Sequence, residues 1–184
     1  MARVTGRADG FSLLEVMVAT LILTTGLLSL VGVMAVGVQR VAGSSAVLIA
    51  REKAREAVES VHTARDTGEL SWSLVRNVAD GGRFLGGAQP LRQPGADGLV
   101  NTPDDGDIET LRAPGADGLL NTADDRLTPL GAGLFTREIA ITPLLLDGTA
   151  TVNPNLRRIT VTVRYHVGGV WQTYSLTTYV SSYS

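Results

Sequence analysis

Two stretches of one pattern, PGADGLVNTPDD at 94–105 and PGADGLLNTADD at 114–125, concentrate carboxylates, amides and glycines in a way that bears on chemistry. Ten of the twelve positions are identical, so chance does not account for the match. Between Asp97 and Asp125 lie eight of the chain's 18 acids, with Arg112 the only base among them. Hard cations such as Ca²⁺ take about six to eight oxygen ligands, and glycine lets a backbone bend around the ion. Asp97, Asn101, Asp104 and Asp105 in the first copy, with Asp117, Asn121, Asp124 and Asp125 in the second, are therefore candidate calcium ligands. Calcium suits the set better than a transition metal, because no Cys or nearby His is present. Within a copy the four stand at offsets 0, 4, 7 and 8, which is not the alternation of an EF-hand. Whether they would divide between one ion and two is open, and Asp-Gly and Asp-Asp also make Asx-turns in their own right.

The same carboxylates make poor general acids or bases, since no apolar pocket is legible that would shift their pKa values. His62 and His166 stand apart from any serine or cysteine pattern and read as surface or packed residues. The chain is not expected to be an enzyme. It has no cysteine, which excludes disulfides and thiolate sites. A net charge of −2 without a basic stripe gives nucleic acid no evident footprint.

A second chemical oddity is Glu15, at the entrance of an apolar run. From Val16 to Gln39 there are 24 positions without a charge. As a helix they span about 36 Å, enough for a bilayer core of about 30 Å. Arg3 and Arg7 before the run favour a cytoplasmic N-terminal tip with the bulk of the chain across the membrane. The apolar run exceeds that of a secretory signal, although small residues near Ala42 and Ser45 leave signal cleavage as an alternative. A carboxylate at membrane depth is costly by several kcal/mol unless it finds a partner.

The stretch GFSLLEVMVATLILTTGLLSL resembles the leader junction of type IV pilins and type II secretion pseudopilins. The resemblance implies that residues 1–10 are a prepilin leader cut after Gly10 by the prepilin peptidase. Phe11 would be the N-methylated mature terminus, and Glu15 the family's acidic assembly residue. Asp9 departs from the pattern, standing where these leaders often carry a base. The implied partners are other pilin or pseudopilin subunits, reached through the N-terminal helix, with residence in the inner membrane before assembly and in a filament afterwards. In a low-dielectric filament core Glu15 of one subunit would neutralise the Phe11 ammonium of the next. The wording leans toward the PilV-like minor pilins of type IV pili. A type II secretion minor pseudopilin shares the junction, and a membrane-anchored calcium-dependent adhesin is the alternative outside the family. The acidic repeat in turn resembles Asp-Gly and Asp-Asp repeats in calcium-binding loops of bacterial surface proteins.

The elements that would carry these residues follow from periodicity. Residues 11–38 read as a transmembrane or filament-core helix. Residues 39–65 continue it amphipathically, with Val47, Ala50, Ala54, Ala57, Val58 and Val61 on one face. Arg51, Glu52, Lys53, Arg55, Glu56 and Glu59 read as a solvated face, with an Arg55–Glu59 pair, and Gly43, Ser44 and Ser45 predict a bend or local melting. Residues 66–184 read as a β-rich head whose stretch 66–132 is turn-rich, to be ordered by short elements or by a ligand, of which the acidic repeat suggests the second. The segments 134–148, 156–167 and 170–180 read as strands, with Gly168-Gly169 a two-residue hairpin turn. The fold class expected is α+β, a long helix packed on a small antiparallel sheet.

Overall fold

The computed structural model describes residues 12–131, 133–146, 148 and 150–183, with the side chains of 39–44 outside that description. The fold is α+β, and the chain divides into two units, Met1–Ala42 and Gly43–Ser184. One helix, α1, runs Leu13–Asp66. Its backbone stays helical through Gly43, Ser44 and Ser45, so the expected local melting is not found. Gly43 costs only about 1 kcal/mol against alanine, which a ladder continuous on both sides absorbs.

In the first unit, Leu13–Val38 has a mean hydropathy of 2.3 over 26 residues and buries none of its side chains within the chain. That is long and apolar enough to cross a membrane. Its hydroxyls are hidden locally. Thr20, Thr24, Thr25 and Ser29 donate to carbonyls three or four residues back, at 2.8 to 3.0 Å. Each of these hydroxyls is thus satisfied inside the helix, as an apolar surrounding demands.

In the second unit the helix faces a sheet. Ala50, Ala54, Ala57 and Val61 have no exposed surface and join one hydrophobic core with the strands. Small alanines at spacings of three and four let the helix backbone lie close to the sheet. The strands are β1 (Gln89–Pro90), β2 (Thr110–Ala113), β3 (Arg126–Pro129), β4 (Phe135–Leu145), β5 (Val152–Val167) and β6 (Val170–Ser181). Four of them form an antiparallel sheet in the order β1-β4-β5-β6, and β2 pairs with β3 separately. The period-two pattern decides the faces. Ile139, Ile159, Val161 and Val163 point into the core, while Thr160 and Thr162 sit opposite Thr177 and Ser175 on the outer face. Gly168 and Gly169 close the β5–β6 hairpin at φ of 59° and 83°, both in the region a two-residue primed turn requires.

The turn-rich segment is ordered by short elements. Two 3₁₀ turns, Trp72–Leu74 and Val78–Asp80, lead into the region of the repeats. Asn77 ties them to the sheet. Its amide donates to the Ile139 carbonyl at 2.7 Å and its oxygen accepts from the Ile141 N–H at 2.9 Å, so it occupies the edge of β4 beyond the short β1. The helix face expected to be solvated is only partly so. Arg51, Glu52, Arg55 and Glu59 are exposed, but Lys53 and Glu56 are half-buried, and Lys53 bridges Glu56 and Glu109. Among the described residues this bridge forms in place of the expected Arg55–Glu59 pair. Burial works against the Lys53 charge, yet hydrogen bonds to Glu109 and Glu56 prevail and hold its pKa above the usual value.

Candidate functional site

The two copies of the acidic motif are two turns of the same design. Each sits between paired segments. The first is flanked by the antiparallel bridge Arg92–Ile108 and the second by the β2–β3 pair Ala113–Arg126. In the first copy the Asp97 carboxylate accepts the Leu99 N–H at 3.0 Å, and Asp117 accepts that of Leu119 at 2.8 Å in the second. Asp105 accepts the Asn101 N–H at 2.8 Å, and Asp125 the Asn121 N–H at 2.7 Å. The Thr102 hydroxyl donates to Asp105 at 2.8 Å, and the Thr122 hydroxyl to Asp124 at 2.7 Å. Asn101 and Asn121 adopt φ of 60° and 68°, a conformation Asn tolerates better than other non-glycine residues. Gly95 and Gly115 are required for space. A Cβ on Gly95 would lie 2.6 Å from an Asp104 carboxylate oxygen, and one on Gly115 2.2 Å from the Asp124 carbonyl.

These contacts involve nearly the whole motif, including the threonines, to which the cation reading gives no part. In the second copy they also set the charges. The Thr122 hydroxyl and then the Asp117 N–H hold the Asp124 carboxyl below the usual range. Burial would raise Asp125, but the Asn121 N–H, Arg112 and Thr122 hold it below that range as well.

The copies differ in what surrounds them. The first is wedged into the head. Leu99, Val100, Asn101 and Thr102 are all buried, and the Asn101 side chain donates to the Arg137 carbonyl at 2.9 Å while accepting from Arg137 Nε at 2.8 Å. Arg83 braces the loop from outside through Asp97, at 2.7 Å, and Asp104, at 3.4 Å. The second copy projects outward, with Leu119 63% and Leu120 55% exposed and Arg112 paired to Asp125 at 3.1 Å. Arg83 and Arg137 were not legible as members of the site. Arg83 is brought to the loop where the Leu85 N–H donates to the Asn101 carbonyl at 2.7 Å, and Arg137 by the pairing of β4 with β1.

The eight candidate calcium ligands do not converge as arranged. Among the described residues no group of three or more acidic, histidine or cysteine side chains gathers at one point. Oxygens of Asp97, Asp105, Asp124 and Asp125 already accept protein donors. As arranged, an ion at the first copy would compete with Arg83 for Asp97 and Asp104.

Glu15 is exposed on the first turn of α1 and is the only charged residue in Leu13–Val38. Gly10 and Phe11 lie outside the described residues. His62 is half-buried, and His166 stacks edge-on against Trp171 at 5.2 Å, a packing role.

Equivalent substitutions in the two copies should have unequal effects. Leu99→Ala is expected to destabilise the head by about 2–5 kcal/mol through the cavity it leaves. Leu119→Ala, at the same motif position on an exposed loop, should change stability by no more than about 0.5 kcal/mol. Denaturant unfolding of the two variants checks this, and equal losses would contradict the difference in burial. A rise in melting temperature with calcium over a chelator that disappears in the double variant Asp97→Ala, Asp117→Ala would establish an ion at the repeats, and no rise in the parent would remove it.

Comparison with protein-family models, with curated proteins and with solved structures finds no match.

Proposed function

We propose that the chain is a minor pilin-class subunit of a type IV pilus, cut after Gly10, that enters the filament through residues 11–38 and presents the β-rich head. The observation that carries this reading is the apolar segment Leu13–Val38, all of whose side chains are left uncovered and whose single charge, Glu15, stands one turn from its start. A helix hydrophobic all round needs lipid or other helices about it. A carboxylate there needs a cation, and the ammonium that cleavage creates at Phe11 of a neighbouring subunit is the one such assembly would supply. The helix–sheet packing of the head supports the reading further, since it is the α+β arrangement the sequence resemblance implies.

Protein recovered from membranes of a host carrying a prepilin peptidase should begin at N-methylated Phe11, as read by intact mass and N-terminal sequencing. A chain retaining residues 1–10 would leave a permanent bitopic anchor instead. With the mature chain in hand, Glu15→Ala should leave membrane insertion intact and lower recovery in sheared filaments by about tenfold or more, the scale expected when a desolvated charge loses its partner. Unchanged incorporation would remove the pairing between Glu15 and Phe11.

A further inference from the structure

The head carries a cationic cleft that neither the repeats nor the filament reading uses. It encloses about 300 Å³ between the Val78–Asp80 turn and the far ends of β4 and β5. Its floor is Arg157, whose side chain comes from the core face of β5 and is only 6% exposed. Arg157 Nη1 donates to the carbonyls of Trp72, at 2.5 Å, and Val75, at 2.7 Å. The guanidinium lies 4.0 Å from the centre of the Trp72 ring, and the Trp72 indole N–H is fixed on the Pro154 carbonyl at 2.9 Å. Arg76 lines the same cleft beside Asn153, against an apolar wall of Ile141, Pro143 and Val152.

What sets the place apart is the charge balance. Among the described residues neither Arg76 nor Arg157 has an ion-pair partner within 4.0 Å. Burial, then the nearby Arg76 and Arg65, push the Arg157 guanidinium below its usual pKa. Arg65 is itself committed, donating to the carbonyls of Leu70 and Ser182. Among the described residues the one acid on the rim is Asp80, which is exposed and makes no ion pair there. A guanidinium nine-tenths buried, with a second cation beside it and no carboxylate in contact among the described residues, is an arrangement that an anion would relieve.

We propose that this cleft binds a carboxylate held between Arg76 and Arg157, with the apolar remainder of the ligand against Ile141, Pro143 and Val152. The planar fork of arginine matches a carboxylate in two-point contact, and the volume suits either a small organic acid or the last residue of a polypeptide. The proposal does not depend on the pilin reading, since it concerns the head alone.

Trp72 reports on the site. The chain has two tryptophans, so Trp171→Phe leaves Trp72 as the sole tryptophan, read by excitation at its red edge where tyrosine does not absorb. Full-length protein of this background in non-ionic detergent would be titrated at constant ionic strength with succinate, with acetyl-Ala-Ala-Leu, and with the same peptide as its C-terminal amide. A saturable change in Trp72 emission with the free acids is expected. Arg76→Gln should weaken it about tenfold, the loss of one charge-assisted partner, and Asp80→Asn should tighten it by removing a like charge. Saturation by succinate alone would identify a small-molecule acid as the ligand, and saturation by the peptide acid but not its amide a polypeptide C-terminus. The proposal falls if neither acid gives a saturable change beyond a sodium chloride control, if the amide binds as well as the acid, or if Arg76→Gln leaves the curve unmoved.

Discussion

The head is organised around one buried charge. Arg137 has no exposed surface, yet it stands on the core-facing side of β4 where its neighbours in the pattern are Phe135, Ile139 and Ile141. Burial pushes its guanidinium down, and three carboxylates, Glu56, Glu109 and Asp105, work to keep it charged. Each belongs to a different part of the fold, namely helix α1, the segment between the two repeats, and the first repeat itself. Only Nε has a direct partner, the Asn101 oxygen, while Nη1 and Nη2 have none among the described residues. An ion held by charge at a distance is stabilised only while every contributor keeps its place. Lys53, which joins Glu56 to Glu109, is therefore a structural strut and not a solvated lysine.

The duplication follows a different logic on either side of that charge. Both copies share the Leu-to-Asp and Asn-to-Asp turn hydrogen bonds and the left-handed asparagine, although the threonine hydroxyl makes its shortest bond to a different aspartate in each. What distinguishes the first is that its asparagine side chain is exchanged with β4 and its leucine is sunk in the core. Loops tolerate insertion when their ends are already paired, and a second hairpin added to the outer side of the first meets that condition. The Leu130 N–H donating to the Glu109 carbonyl, opposite the Glu109 N–H donating to Leu91, shows the two hairpins sharing one central segment.

Much of this was legible in the chain and some was not, for identifiable reasons. The strands β4 to β6 and the Gly168-Gly169 turn follow from period two and turn chemistry, and Ala50, Ala54, Ala57 and Val61 from period three and four. Those signals are local. Which copy of the repeat is buried is not local, because ten of twelve residues agree and the decision rests on Arg137, 36 positions from Asn101. The charged helix face misled for the same reason. A run such as Arg51 to Glu59 looks uniformly wet until Glu109 arrives from the turn-rich segment to meet Lys53. The threonines repeated with the Asp and Asn residues carried a turn signal of their own, since Thr102 and Thr122 both donate to carboxylates of their copy.

The same contrast between local and distant satisfaction bears on the N-terminal helix. Thr20, Thr24, Thr25 and Ser29 need nothing from outside, since each hydroxyl donates to its own helix. Glu15 has no such recourse, because an ionised carboxylate is acceptor-only and the helix carbonyls beside it offer no proton. In water that imbalance is slight. In a bilayer or among packed helices it is several kcal/mol, large enough to favour any arrangement that brings a cation to the first turn. Hydroxyls that are locally satisfied leave the rest of the segment free to slide against apolar neighbours, and the single charge then sets the register. On the filament reading, that is why one acidic residue in an otherwise featureless helix suffices to position a subunit along its neighbour.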